Sequence, residues 1–220
     1  MALLRVGPHP HPRENVSDAD AAGFLDGVRF VLRQPVLLGA QTLDLFSVLF
    51  AGAEALLPIY ATDILKVGAT GLGILRAAPA AGSVLMSLYQ SYRPLAGRMG
   101  RVLLVSVALY GLCIVGFGVS RIFVLSVALL LVSGVFDNIS VVLRSTLLQT
   151  RTPRQLLGRV AAVNAIFIGS SNEVGAFESG VAARLFGATT AVVLGGFVPL
   201  VVVAVIAWRV PRLRTLDQVS

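Results

Sequence analysis

Eight ionisable side chains lie inside long apolar stretches of this 220-residue sequence, and these side chains are the ones most able to do chemistry. Five are acidic and three are basic, namely Asp44, Glu54, Asp137, Glu173, Glu178, Arg76, Arg144 and Arg184. An ionised side chain in hydrocarbon is costly unless it is paired or faces water. Each of the eight is therefore a candidate for a charge pair between helices or for a contact with protons or substrate.

Two interpretations of these charges stay open. The rise of about 1.5 Å per helical residue brings Glu54 and Arg76 to a similar depth, and it places Arg144 two turns from Asp137 on one face. Glu54–Arg76 and Asp137–Arg144 are then structural charge pairs. In the alternative, a carboxylate titrates or contacts substrate, because a lone carboxylate near mid-membrane is a typical proton carrier. That pathway would involve Asp44, Asp137, Asn138, Asn164, Asn172, Glu173 and Glu178.

Six apolar stretches must position these residues, and each is long enough to cross about 30 Å of hydrocarbon as a helix. They cover residues 36–60, 69–91, 102–120, 122–148, 160–186 and 188–208. In each set of three, the first two stretches carry charges and the third carries none. The sequence therefore predicts an all-α membrane protein whose six transmembrane helices form 3+3 inverted repeats.

The composition excludes several classes of protein. Hydrophobic residues make up 56% of the chain and charged residues 13%, about half the share in a soluble domain, and the mean hydropathy is +0.85. Cys113 is the single cysteine, and the two histidines, His9 and His11, precede the first stretch. We therefore expect no metal site, no cofactor and no intramembrane enzyme that depends on histidine. The net charge of +7 fits basic loops beside a lipid bilayer better than nucleic-acid binding.

Basic residues in the loops predict the orientation of the chain. One side collects thirteen arginines, whereas the other side receives Lys66 and Arg121. Because cytoplasmic loops carry an excess of Lys and Arg, both termini are expected to be cytoplasmic. We expect residues 1–34 to form a cytoplasmic tail with an interfacial amphipathic helix over 24–34, residues 35–209 to form the six-helix bundle, and residues 210–220 to form a second tail.

A motif lies in the loop after the second stretch. Arg98, Gly100 and Arg101 match the end of G-x-x-x-D-R-x-G-R-R, and the segment resembles this cytoplasmic signature of the major facilitator superfamily. Gly97 replaces the acidic residue and Arg93 replaces the first glycine. Such departures are typical of the copy in the second half of these transporters, and they put an Asp-dependent gating latch in doubt.

A second loop motif follows the fourth stretch. Pro153, Gly158 and Arg159 stand in a segment that resembles the P-x-x-x-x-G-R-V sequence before the fifth helix of a half in many superfamily members. With FLDGVRFVLRQPVLLG and SSNEVGAFESG, residues 24–208 resemble the C-terminal six-helix half of a bacterial exporter of the enterobactin-exporter-like, or transmembrane secretion effector, branch.

This resemblance implies twelve helices in two bundles around a central cavity, with proton-coupled efflux of a drug or siderophore-like small molecule across the bacterial inner membrane. The six stretches make up one half, so the resemblance implies an N-terminal six-helix half or a second copy as a partner. Two alternatives stay open: a permease subunit driven by a separate ATPase, and a truncated transporter without function. A diaspartyl protease is disfavoured because Gly134-Val-Phe-Asp137 replaces the G-x-G-D motif.

Overall fold

The computed structural model describes residues 27–50, 53–93 and 99–209, and within these ranges the chain is helical and contains no strand. Helix α1 covers residues 27–33. The following helices are α2 (Pro35–Phe50), α3 (Ala53–Ile59) with a π-helical turn (Tyr60–Ile64), α4 (Gly68–Tyr92), α5 (Met99–Val119), α6 (Phe123–Arg151), α7 (Leu157–Phe186) and α8 (Ala188–Arg209). The all-α class is confirmed for the described residues.

Four helices are long and apolar enough to cross a membrane, namely α4, α5, α6 and α8. The other two predicted crossings differ from them. The first comprises α2 and α3, of 16 and 7 residues, which stand on either side of residues 51 and 52 outside the described ranges. The fifth corresponds to α7, a single helix of 30 residues that includes two glutamates and two arginines. These charges dilute its apolar character, so six crossings and the 3+3 repeat stay predictions.

Close backbone contacts between α4 and α6 depend on two glycines. A Cβ atom at Gly134 would collide with the backbone of Pro79, and one at Gly82 would collide with the backbone of Leu131. Helices in lipid associate through such close packing, because the apolar surroundings provide no hydrophobic driving force between them. The absence of a side chain at these positions brings α4 and α6 together.

Helices α5 and α8 pack in the same way. A Cβ atom at Gly111 would lie 2.8 Å from the carbonyl oxygen of Gly196, and one at Gly196 would lie 2.9 Å from the backbone nitrogen of Val115. Helix α5 also packs along α6, while α2 packs against α7 and α8. Helices α5 and α8 carry no charge apart from Arg101 and Arg209 at their ends, and they support the charged helices.

The buried apolar residues form two clusters. In the first, the rings of Tyr60 and Phe117 stack with centroids 4.6 Å apart, and Leu130 packs with them. The second includes Leu43 and Ile139. Along α6, Asp137 stands between Leu130 of the first cluster and Ile139 of the second.

Several predictions fall at the edges of the described residues. Residues 27–33 of the predicted amphipathic helix are helical. The tails at 1–26 and 210–220 lie outside the described residues, as does Arg98 of the first loop motif. Gly100 and Arg101 belong to the first turn of α5.

Candidate functional site

A buried ion pair joins α2 to α6. The Arg144 guanidinium contacts the Asp44 carboxylate, and the two side chains are only 10% and 9% exposed. Arg144 also donates its Nε–H to the carbonyl oxygen of Ser140 at 3.2 Å. The predicted Asp137–Arg144 pair is therefore wrong. Seven residues separate these two by about 10 Å along the helix axis, and the arginine instead reaches across to the neighbouring helix.

A cavity of about 600 Å³ opens between α3, α4, α5, α6 and α7. Three charged side chains line it: Glu54 from α3, Arg76 from α4 and Asp137 from α6. The predicted Glu54–Arg76 pair is wrong, because no ion pair joins these two described residues. Both side chains are exposed and border the same cavity. The two side chains therefore line the cavity without contacting each other as an ion pair.

Asp137 and Tyr110 connect the cavity to the ion pair. Both line the cavity of about 600 Å³, and both also line a small void of about 10 Å³ beside Asp44 and Arg144. Asp137 stands at the midpoint of α6. Two carboxylates and one guanidinium therefore surround the small void, with one carboxylate also open to the larger cavity.

The predicted pathway amides Asn138 and Asn164 make contacts between helices. Asn138 accepts a hydrogen bond from Gln90 Nε2 at 2.9 Å and donates to Ser87 Oγ at 3.0 Å, which ties α6 to α4. Asn164 accepts from Gln41 Nε2 at 2.7 Å and ties α7 to α2. These bonds occupy the two side chains, so their first contribution is to helix packing.

A second cavity of about 120 Å³ lies beside the Gln41–Asn164 hydrogen bond. Residues of α1, α2 and α7 line it, and most of them are apolar. Asp44 reaches its wall as well as the void around Arg144. The Asp44 carboxylate is thus placed between α7 and the charged centre of α6.

The three predicted pathway residues of α7 separate in the structure. Asn172 lines the cavity of about 600 Å³. Glu173 is exposed and Glu178 is half-buried, and neither lines the cavities described above. Successive helical residues point about 100° apart, so Glu173 projects from a different face than Asn172.

The structure also reveals a residue that sequence reasoning missed. Tyr110 borders both the large cavity and the small void. Its stretch, residues 102–120, carries no charge and therefore offers no candidate in a search for charged side chains. A tyrosine in the middle of an otherwise apolar helix is a detectable signal, since a buried Tyr hydroxyl usually finds a polar partner.

The second loop motif stands at the start of α7. Pro153 precedes a 3₁₀ turn (Arg154–Leu156), and Gly158 and Arg159 follow in the first turn of α7. Pro153 has a φ of −56° and a ψ of 141°, so it lies just outside the helical turn that it precedes. Across the described ranges, no group of three or more His, Cys, Asp and Glu side chains is arranged to hold a metal ion.

Comparison with known proteins places these features in a family. The sequence profile described as "Major Facilitator Superfamily" matches residues 1–176. The chain belongs to the major facilitator superfamily. The family resemblance of the loop motifs is thereby confirmed, and the chain is a multi-pass membrane protein of this superfamily.

Curated relatives are similar over most of this chain. They include proteins named enterobactin exporter EntS from Escherichia coli O139:H28 (strain E24377A / ETEC), Escherichia coli O9:H4 (strain HS) and Shigella boydii serotype 18 (strain CDC 3083-94 / BS512). Each is 31% identical over 160 residues, which cover 73% of this chain and 37% of the relative. The match thus spans little more than a third of these relatives. No solved structure matches the chain.

Proposed function

We propose that the chain is a six-helix half of a secondary transporter that exports a small molecule, and that the cavity of about 600 Å³ is its part of the substrate path. The observation that carries this proposal is a cavity with three charged side chains inside a bundle of membrane-type helices. Small-molecule sites commonly occupy about 300–1,000 Å³. Charges at membrane depth are otherwise costly and typically mark a pathway.

The packing of the helices supports a 3+3 repeat. In such a repeat α2 corresponds to α6, α4 to α7 and α5 to α8. The packing of α2 on α7 then corresponds to the packing of α6 on α4, and the packing of α5 on α6 corresponds to that of α8 on α2. The packing of α5 on α8 corresponds to itself. All of these pairs pack in the structure. Such a correspondence is expected when a half is built from two inverted repeats.

Proton coupling is proposed for the polar centre around Arg144. Two carboxylates, Asp44 and Asp137, share a small void with one guanidinium. One base can balance only one of the two acids, so the second is the natural place for a transferable proton. Asp137 also faces the large cavity, where a proton and a substrate would meet. Glu173 and Glu178 stay predictions without a cavity contact.

Export of a drug or siderophore-like molecule is proposed from the relatives. They are named enterobactin exporters and share 31% identity with this chain.

We place the protein in the bacterial inner membrane with both termini in the cytoplasm, because the predicted loops carry thirteen arginines on one side and two basic residues on the other.

The partner that we propose is an N-terminal six-helix half. The chain matches only 37% of the length of its relatives, so those proteins contain further sequence of comparable size. Helices α4 and α7 leave large apolar side chains exposed, including Val84, Leu85, Leu88, Tyr92, Phe167, Val174, Phe177 and Leu185. The second half would cover part of this surface, and lipid would cover the rest. A homodimer is the alternative outcome of the test below.

Transport can be tested in inverted membrane vesicles from the native bacterium expressing the tagged chain. We expect accumulation of a fluorescent efflux substrate when a proton gradient is applied, without added ATP. Asp137→Asn should abolish the gradient-driven part, whereas the exposed Asp63→Asn is the matched control. Uptake that requires ATP and ignores the gradient would instead identify an ATP-driven permease.

The assembly state is measured on the purified chain in mild detergent. We expect the tagged chain to co-purify with a second six-helix segment, at about twice the mass of the 23.1 kDa chain. A self-assembled complex of the same mass would identify the homodimer. A monodisperse monomer that exports substrate in liposomes would contradict the half-transporter proposal.

A further inference from the structure

Three charges of opposite sign stand unpaired in one cavity. Glu54, Arg76 and Asp137 line the space of about 600 Å³, and each side chain is exposed. Within the described residues, none of the three forms a hydrogen bond or an ion pair with another side chain. The Asp44–Arg144 pair differs from these three residues, because its two side chains contact each other and are nearly buried. Charges left open in a membrane bundle keep either water or a charged ligand beside them.

The chemistry of these groups defines what they would bind. A guanidinium offers a planar fork of donors that matches a carboxylate or another oxyanion. Carboxylates accept hydrogen bonds from an ammonium or iminium group and balance its charge. Ala80 and Ala176, which are exposed, add apolar wall to the same cavity. We propose that the cavity binds zwitterionic small molecules, with the anionic group on Arg76, the cationic group on Glu54 and Asp137, and an apolar body against Ala80 and Ala176.

Ligands of a single charge fit this arrangement less well. A cation without an anionic group would satisfy the carboxylates but add positive charge next to the unpaired Arg76. An anion would satisfy Arg76 and face two carboxylates. Sites discriminate most strongly when the wrong ligand leaves charged or polar groups without a partner. The proposal narrows the substrate class of the transporter proposed above and rests on that function for its role in export.

Three xanthene dyes of similar shape form a matched probe set. Rhodamine B carries a cationic ring system and a carboxylate, rhodamine 6G is the cationic ethyl ester of a closely related rhodamine, and fluorescein is a dianion at pH 8. Their fluorescence polarisation is measured against the full chain, purified in mild detergent in whatever assembly it forms. We expect rhodamine B to bind most tightly, about tenfold more tightly than either of the other dyes, which is the size of one charge-assisted contact.

Variants then assign each charge to its part of the ligand. Arg76→Gln should weaken rhodamine B about tenfold without weakening rhodamine 6G, and Arg76→Lys should restore part of the loss. Glu54→Gln should weaken both cationic dyes. Arg184→Gln and Asp63→Asn are matched controls, because both residues are exposed and stand away from the cavity lining. Each variant is checked for a monodisperse elution profile before binding is measured.

The proposal is overturned if rhodamine 6G or fluorescein binds as tightly as rhodamine B, if none of the dyes binds, or if a folded Arg76→Gln variant keeps the preference. The dye comparison on the unaltered protein needs no variant and therefore survives a variant that fails to fold. Binding is also separate from transport. If the chain prefers rhodamine B but shows no gradient-driven export, the binding site is supported and the proposed transport function is contradicted. If the chain exports substrate but does not prefer rhodamine B, the transport function is supported and the binding proposal is contradicted.

Discussion

Arg144 pairs with Asp44 on the neighbouring helix rather than with Asp137 on its own helix. This contact ties α2 to α6, which are the first and fourth predicted crossings and therefore equivalent positions in the proposed 3+3 repeat. Both partners are about nine-tenths buried. Because Arg144 is paired with Asp44, the Asp137 carboxylate has no ion-pair partner among the described residues and faces the large cavity. The same pair links a helix of the first proposed repeat to a helix of the second.

Removal of one partner of this pair should destabilise the bundle. Asp44→Ala leaves the Arg144 guanidinium buried without a counter-charge, and loss of one member of a buried pair typically costs about 3–5 kcal/mol. We expect a similar loss for Arg144→Ala and a smaller loss for the double variant, because neither charge is then stranded. Thermal unfolding in detergent measures all three. A double variant that loses the sum of the two single effects would show that the residues are independent.

The glycines between α4 and α6 should be intolerant of a side chain. Gly134→Ala would push a methyl group into the backbone of Pro79, which cannot move aside as a flexible side chain can. Overpacking of this kind costs about 1–3 kcal/mol. Gly73→Ala is the control on the same pair of helices, because a Cβ atom there meets nothing within 4 Å. Equal melting temperatures for the two variants would argue against the close approach of α4 and α6.

Asn138 and Asn172 should respond differently to the same substitution. Asn138→Ala removes hydrogen bonds to Gln90 and Ser87, so we expect a loss of stability of about 1–2 kcal/mol. Asn172 lines the large cavity and is exposed, so Asn172→Ala should leave stability unchanged while altering binding of the dyes. Thermal unfolding and dye polarisation, measured on both variants, separate the two roles. A destabilised Asn172→Ala protein with unchanged dye binding would contradict this assignment.

The orientation of the chain can be tested with reporter fusions. A phosphatase domain fused after Ser220 should be inactive, since that terminus is predicted to be cytoplasmic, and one inserted beside Lys66 should be active. Green fluorescent protein at the same two positions should give the reverse pattern. An active phosphatase at Ser220 would invert the proposed topology and with it the direction of transport.

The sequence by itself determined the helical class, the membrane location and the places of the charges along the helices. Long apolar stretches predict membrane helices through composition alone, and this holds for α4, α5, α6 and α8. The loop motifs were sufficient to indicate the superfamily, which the profile match over residues 1–176 confirms. Such features depend on residues that are close together in the chain.

Only the tertiary structure decided which charges meet. Depth arithmetic places two residues at the same level of a bundle, but it does not define how neighbouring helices are rotated or where a long arginine side chain reaches. Arg144 therefore forms its ion pair with Asp44 instead of Asp137. Glu54 and Arg76 line the same cavity without forming an ion pair. Tyr110 joined the site for the same reason. The rotation of each helix follows from contacts such as Gly134 on Pro79, which depend on close packing between distant parts of the chain.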